Sequence, residues 1–154
     1  MHRSTSGLAL AVRLGENVHA IPIEWVEEVL PALTIESVPQ CPEFILGVIF
    51  VRGHLIPVLS AAERLRLKGY QRPLEPPIVC LRIGERLVGV EFDEAIDLLD
   101  LGSGERMSAH TLGGRDGFFA GVMDLNGTMV RILNPEKLLA SDEAAELEAV
   151  PKTA

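Results

Sequence analysis

The sequence contains little cysteine, few basic side chains and no long apolar run. Cys41 and Cys80 stand far apart in apolar surroundings, without the spacing of a metal site or the density of a secreted disulfide framework. Lysine and arginine number 14 against 22 acidic residues, a formal charge of −8, so the basic face of a nucleic-acid-binding protein is absent. No apolar run approaches the ~20 residues that span a bilayer. The polar residues at the start do not show the arrangement of charged, apolar and small residues that is typical of a signal peptide. We expect a reduced, cytoplasmic protein without nucleic-acid binding or membrane insertion.

The residue types that carry out catalysis or hold metals are sparse and scattered. The four histidines show no metal-ligand spacing, and no serine or cysteine stands in a nucleophile motif. Gly113 and Gly114 lack the Lys and Ser/Thr of a phosphate-binding loop. Glu27 and Glu28 are neighbours on a predicted strand, so they would point to opposite faces and not converge on one substrate. We therefore expect no enzyme activity, no cofactor and no metal site.

Short apolar segments separated by glycine turns and prolines predict an all-β protein. The expected strands are residues 8–14, 18–23, 25–30, 44–51, 55–59, 78–83, 87–92, 95–101, 118–125 and 128–133. For 25–30, one helical turn is the competing prediction. Ser60 is placed to cap a short helix, and Pro135 opens a C-terminal helix. Three prolines make 69–77 a linker, 113–117 is a flexible loop, and the acidic tail 141–154 is expected to fray.

Two blocks of sequence recur in the same order. Residues 10–16 match 79–85 in character at every position, and the strand-turn-strand passage 47–59 matches 121–133, glycines included. This repetition indicates a duplicated β unit, with chance similarity between two hairpins as the alternative. Each copy is near the minimum size that folds alone. We therefore expect two small barrels that pack against each other and share part of their cores.

The expected core comes from matching strands of the two copies. In one unit it comprises Val12, Leu14, Ile21 and Ile23, and in the other Leu81, Ile83, Val90 and Phe92. His19 lies within the same strand pattern, and we expect it to be half-buried.

The two copies differ at the tip of their second hairpin. Asn126-Gly127 is the preferred pair for a two-residue turn in which both central residues have positive φ. At the matching position, Arg52 precedes Gly53, and arginine gains nothing locally there. A residue that departs from local preference at a loop tip is a candidate for binding. An ordinary solvated arginine in a different turn type is the alternative, and turn chemistry leaves both open.

Residues 42–59 are similar to the signature of CheW domains, as are Val26–Leu30, Val38-Pro39 and 88–93. The similarity runs from about Leu8 to Leu139. It implies one CheW-like domain over residues 8–140, made of two intertwined five-stranded SH3-like barrels with short helices, one of them at the C-terminus.

The resemblance also implies a function. CheW-like adaptors bind the cytoplasmic tip of a methyl-accepting chemoreceptor and the regulatory domain of a CheA-type histidine kinase, and they hold both in a membrane-associated array without catalysis. The family's arginine after the middle strand matches Arg52 and its partner glutamate matches Glu28. Such a pair would fix the fork of the guanidinium. The expected partner-binding residues are Arg52, Glu28, Val26, Gly53 and Phe50.

Two positions depart from the family pattern. Phe50 replaces the asparagine often found two residues before the arginine, and Ser60 replaces an aspartate. A core position is one expectation for Phe50, and an exposed Phe50 would alter a partner surface. An adaptor of a pilus-motility or other non-flagellar signalling cluster is therefore an alternative. A small-ligand-binding β-barrel sensor is the alternative from another class, and it would need an enclosed polar cavity.

Overall fold

The computed structural model of the chain describes residues 7–103, 105–108 and 117–138. These residues contain eleven strands: β1 Leu8–Leu14, β2 Asn17–Pro22, β3 Val26–Leu30, β4 Ile45–Val51, β5 His54–Ser60, β6 Ile78–Ile83, β7 Arg86–Glu91, β8 Glu94–Asp100, β9 Glu105–Ser108, β10 Phe119–Leu125 and β11 Thr128–Leu133. The helices are short: α1 Ala61–Arg64 and the 3₁₀ helices Ile23–Trp25, Leu101–Ser103 and Pro135–Leu138. The all-β prediction is confirmed.

The local signals predicted most of these elements. The hydroxyl of Ser60 accepts a hydrogen bond from the Glu63 backbone N–H at 3.1 Å, which caps α1. For 25–30 the strand prediction is right, since β3 covers Val26–Leu30. The 3₁₀ helix Ile23–Trp25 shares only Trp25 with that range, so the helical alternative is wrong for the rest of it. β9 was not predicted, since its sequence contains a single apolar residue and no alternation. Residues 113–116 of the predicted loop and the acidic tail lie outside the described residues.

The strands form two sheets whose members are exchanged between the two sequence copies. The first sheet has the order β3-β6-β7-β5-β4, and the second has the order β8-β1-β2-β11-β10-β9. We call them the first and second barrel. Each contains the opening hairpin of one copy and the remaining strands of the other. The two halves of the sequence are therefore not the two barrels, and β9 gives the second sheet a sixth strand.

Two parallel strand pairs join the exchanged hairpins to their sheets. Ala20 on β2 lies opposite Ile132 on β11, and Gly89 on β7 lies opposite Val58 on β5. In the duplicated sequence Ala20 matches Gly89 and Ile132 matches Val58. The two parallel strand pairs thus have the same register, and the duplication seen in the sequence is also present in the strand pairing.

The buried side chains form one shared core and two barrel interiors. Ile49, Ile56, Val58, Ile78 and Cys80 fill the first barrel, and Ala9, Ala20, Leu101, Met123, Val130 and Ile132 fill the second. Between the barrels lies the largest cluster, which includes Phe92, Phe44 and Phe118. Because each sheet has an interior face and a shared face, the central strands are apolar at almost every position.

The predicted core residues were mostly right, but their division into two units was wrong. Val12, Leu14, Ile21, Leu81, Val90 and Phe92 are buried, whereas Ile23 and Ile83 are half-buried. All six buried residues belong to the shared core. The hairpin exchange explains this, because it turns the matching faces of the two sheets toward each other.

The segment predicted as a linker is tied down by polar contacts. The Tyr70 hydroxyl donates to Oδ1 of Asp93, and Arg72 makes a bidentate pair with the buried carboxylate of Glu91 at 2.8 and 2.7 Å. Burial, followed by the hydrogen bond to Asp93, raises the pKa of Tyr70. The linker is therefore held against the last residue of β7 and the turn that precedes β8.

A buried arginine connects α1 to the C-terminal 3₁₀ helix. The Arg64 guanidinium lies 4.8 Å from the ring centres of both Phe44 and Phe118, and its Nε donates to the Leu138 carbonyl. Cation–π contacts are strongest when water is excluded. This cluster closes one edge of the shared core.

We expect Phe92→Ala to lower the free energy of unfolding by roughly 3–5 kcal/mol, because the ring is fully buried and its removal leaves a cavity. Ile23 occupies the matching position of the other copy and is half-buried, so Ile23→Ala is the control and should cost less. Denaturant melts measure both changes. A loss under ~0.5 kcal/mol for Phe92→Ala would place the ring outside the core.

His19 is buried on the face of β2 that is turned toward the shared core, deeper than the half-buried position that its strand pattern predicts. Its ring stacks on Phe119, with centroids 5.8 Å apart and planes at 6°, and it is 3% exposed. Val12 on β1 and Arg131 on β11 lie opposite it. Burial, followed by the charge of Arg131, lowers the pKa of His19 to about 4.

This buried histidine should make stability depend on pH. The unfolded state binds a proton below a pKa of 6.5, while folded His19 stays neutral down to about 4. Its contribution to stability is therefore complete above pH 6.5 and is lost as the pH falls toward 4, by roughly 3 kcal/mol in total. His19→Val, which copies Val88 of the other copy, should flatten this part of the stability profile. Equal slopes for both proteins in denaturant melts between pH 6.5 and 4 would contradict the assignment.

Candidate partner-binding site

The turn between β4 and β5 holds an arginine in a backbone conformation that arginine rarely adopts. Arg52 has φ 49° and Gly53 has φ 82°, against 52° and 87° for Asn126 and Gly127 in the other copy. The two turns are thus of the same type, which removes the alternative of a different turn for Arg52. The first copy keeps arginine where asparagine is locally preferred, so local folding does not explain its presence.

Glu28 fixes the position of this arginine. Nη2 of Arg52 donates to Oε2 of Glu28, which lies on β3 at the opposite edge of the same sheet. The contact shows that the sheet curls until its two edges approach each other. The side chains are 69% and 30% exposed, so the pair adds little to stability. The hydrogen bond and then the charge of Glu28 raise the pKa of Arg52. What the pair provides is a guanidinium held in one orientation at the surface.

The neighbouring carboxylate pairs with a different arginine. Oε1 of Glu27 accepts from Nε of Arg82 at 3.2 Å, so Glu27 and Glu28 do not converge on one point. Cys80 lies opposite Glu28 on β6 and is buried. Burial, and then the charge of Glu28, raises the pKa of Cys80 to about 11, so this thiol stays protonated and unreactive at neutral pH.

The remaining predicted residues have different placements. Phe50 is 61% exposed near the end of the edge strand β4 and is therefore not a core residue. Gly53 completes the turn at positive φ. Val26 is half-buried and packs on the shared core. In the pairing of β3 with β6, a β-bulge lies between Val26 and Glu28. The structure thus pairs Arg52 with Glu28 and exposes Phe50 on the same hairpin as Arg52, whereas Val26 packs on the shared core.

Two exposed apolar residues at matching positions were not singled out from the sequence. Val29 on β3 lies opposite Val79, and Leu98 on β8 lies opposite Leu10, and in the duplicated sequence these pairs correspond. Val29 is 42% exposed and Leu98 is 52% exposed. The repeat between residues 10–16 and 79–85 continues into the third strand of each copy, where Val29 and Leu98 occupy matching positions. Extending the comparison that far would have identified both residues.

The two barrels differ in the polar residues around these positions. Asp97 and Asn126 stand where Glu28 and Arg52 stand in the first barrel. The second barrel therefore keeps the acid and the turn but has asparagine in place of the arginine. The backbone of the turn thus does not require the guanidinium.

Within the described ranges, no group of three or more His, Cys, Asp and Glu side chains could hold a metal ion. None of the helices in those ranges has the length and hydrophobicity to cross a membrane.

Comparison with known proteins agrees with this geometry. The family model described as the CheW-like domain matches residues 8–143. The chain is 27% identical to the chemotaxis protein CheW of Klebsiella aerogenes, over 94% of this chain and 88% of that protein. It is 24% identical to the chemotaxis protein CheW of Rhizobium meliloti, over 92% and 94%. The crystal structure of the scaffolding protein TtCheW from Thermoanaerobacter tengcongensis has a TM-score of 0.80 at 23% identity, covering 90% of this chain and 96% of that one.

Proposed function

Because the chain belongs to the CheW-like domain family, we propose that it is a non-catalytic scaffold adaptor that couples methyl-accepting chemoreceptors to a CheA-type histidine kinase. Relatives named chemotaxis proteins match it over almost their full length, and this supports an adaptor over a small-ligand sensor. The fold of the TtCheW structure agrees with two SH3-like barrels.

The observation that carries the proposal is the oriented guanidinium of Arg52. It is exposed, tied to Glu28 and located on a turn whose counterpart in the second barrel has asparagine. A charged fork held in place before binding loses less conformational freedom when a partner arrives. We assign this surface to the cytoplasmic tip of the receptor. The protein is then cytoplasmic and joins a membrane array only through its partners.

The kinase contact needs a second surface, because an adaptor binds both partners at once. The exposed edge strands of the barrels supply candidates: Val29 lies on β3, and Ile96 and Leu98 lie on β8. Exposed apolar residues on a strand edge favour contact with another β-rich domain. The regulatory domain of a CheA-type kinase is the expected partner.

The purified protein should bind the regulatory domain of its cognate kinase with micromolar affinity, which is common for transient signalling contacts, since buried area alone does not set affinity. Calorimetric titration measures the complex, and kinase without the regulatory domain is the control. Absence of heat with every CheA-type kinase of the same cell, at high micromolar concentration, would remove the kinase from the proposal.

Arg52→Asn should weaken receptor binding about tenfold or more, because a charge-assisted contact at the interface is lost. The variant copies the turn residue of the other copy, so the melting temperature should stay within about 2 °C of the parent. Glu28→Ala should give a similar defect by releasing the guanidinium.

The double variant should then be less than additive in receptor affinity, since the second change removes an interaction already lost. Affinity for a receptor-tip fragment and thermal melting are measured for all four proteins. Normal binding by Arg52→Asn would make the arginine a solvated turn residue. Additive effects would refute the pairing while leaving both residues at the interface.

A further inference from the structure

The hairpin turn of the second barrel is stabilised by a side chain that the first barrel lacks. Oδ1 of Asp124 accepts a hydrogen bond from the Gly127 backbone N–H at 2.9 Å, a local contact that supports the turn. Phe50 occupies the matching position in the first barrel, since the pairing of β4 with β5 has the same register as that of β10 with β11. A phenylalanine side chain contains no hydrogen-bond acceptor. The turn of the first barrel therefore forms without this contact.

The first barrel thus departs from turn preference at two positions, and both side chains are exposed. Arg52 stands in place of Asn126, and Phe50 stands in place of Asp124. The exposed fraction is 61% for Phe50 and 69% for the Arg52 side chain. The backbone torsions of the two turns nevertheless agree. Two residues that favour the turn are therefore replaced by an aromatic ring and a guanidinium, which are residue types enriched at protein interfaces.

Phe50 points away from the barrel interior. On β4, Ile49 lies in the interior cluster and Val51 packs against it, and successive side chains of a strand point to opposite faces. On β3, at the other edge of the sheet, Val29 lies opposite Val79 of the shared core, so it also points away from the barrel interior. Val29 is 42% exposed. The ion pair that joins these two edges is thus accompanied by one exposed apolar side chain on each strand.

The second barrel carries different groups at the matching positions. Leu98 keeps the apolar character of Val29. Asp97 and Asn126 stand where the first barrel has its ion pair, and Asp124 adds a second carboxylate. A partner that buries an apolar side chain at this surface distinguishes the two barrels, because removing a carboxylate from water without a compensating contact is unfavourable. The exchange of aspartate for phenylalanine therefore changes which partners the surface accepts.

We propose that Phe50 is a specificity-determining contact for the receptor tip, and that the cognate tip presents an apolar side chain to its ring. This assignment rests on the proposed function, which gives the surface around Arg52 to the receptor tip. Because the ring lies on the same hairpin as the guanidinium, a tip that reaches Arg52 also covers Phe50. A tip with a polar side chain at that place binds less well, since the polar group loses water without gaining a hydrogen bond.

Phe50→Asn separates this role from a structural one, because it removes the ring and supplies an uncharged acceptor at the position that matches Asp124. Affinity for a receptor-tip fragment that binds the parent protein should fall about tenfold or more, while affinity for the kinase regulatory domain should change less than about twofold. The melting temperature should stay equal or rise, since the amide oxygen can accept from the Gly53 N–H. Phe50→Leu keeps an apolar side chain and should retain most of the affinity for the tip.

The heat capacity change of binding identifies the nature of the contact. Burial of apolar surface makes this change negative, so calorimetry at several temperatures should give a less negative value for Phe50→Asn than for the parent protein. The loss of affinity in Phe50→Asn should persist at high salt, where the loss in Arg52→Asn is reduced by screening. Asp124→Phe, the reverse exchange in the second barrel, is the control. It should lower the melting temperature by removing the turn hydrogen bond and leave receptor affinity unchanged.

The outcomes separate the role of Phe50 from the adaptor function itself. Normal tip binding by Phe50→Asn, together with weakened binding by Arg52→Asn, would overturn the role of Phe50 and leave the adaptor function standing. A melting temperature lowered by more than about 5 °C, or an equal loss of affinity for tip and kinase, would make Phe50 a structural residue and overturn its role in specificity. If no receptor tip binds the parent protein, the proposed function fails, and the role of Phe50 fails with it.

Discussion

The exchange of opening hairpins between the two sequence copies is the constraint on which the rest of the structure depends. β1 and β2 complete the sheet of the second copy, and β6 and β7 complete the sheet of the first. Each sheet then buries one face in its own barrel and the other in a core shared with its neighbour. Neither barrel keeps all its strands without the other, so the shared core and the two interiors should form together. The contacts of Arg64 and of the linker with distant strands reinforce the same joint.

This construction also determines where a functional surface can lie. The central strands have both faces covered, so exposed apolar and charged groups are concentrated on edge strands and turns. The pair of Glu28 and Arg52 spans the two edges of the first sheet. A rigid scaffold with its variable chemistry at edges and loop tips suits a protein whose task is to hold partners in place.

Comparison of the two copies separates residues that the shared backbone requires from residues that it does not require. Where the copies agree, as at Gly53 and Gly127, a positive φ explains the residue. Where one copy departs from the other, as Arg52 does from Asn126, the same turn is built without the charged side chain. The arginine is therefore not explained by the conformation of the turn.

The sequence by itself determined ten of the eleven described strands, the turn at Arg52 and the helix cap at Ser60, because each depends on residues close together in the chain. It also showed the duplicated pattern. It also supplied, through a family resemblance, the pairing of Arg52 with Glu28. Only the tertiary structure decided that the predicted cores form one cluster, that Phe50 is exposed and that His19 is fully buried. Pairing between β2 and β11, or between β5 and β7, joins strands far apart in the chain. Local periodicity contains no information on such partners, and burial of an individual side chain depends on which partner is chosen.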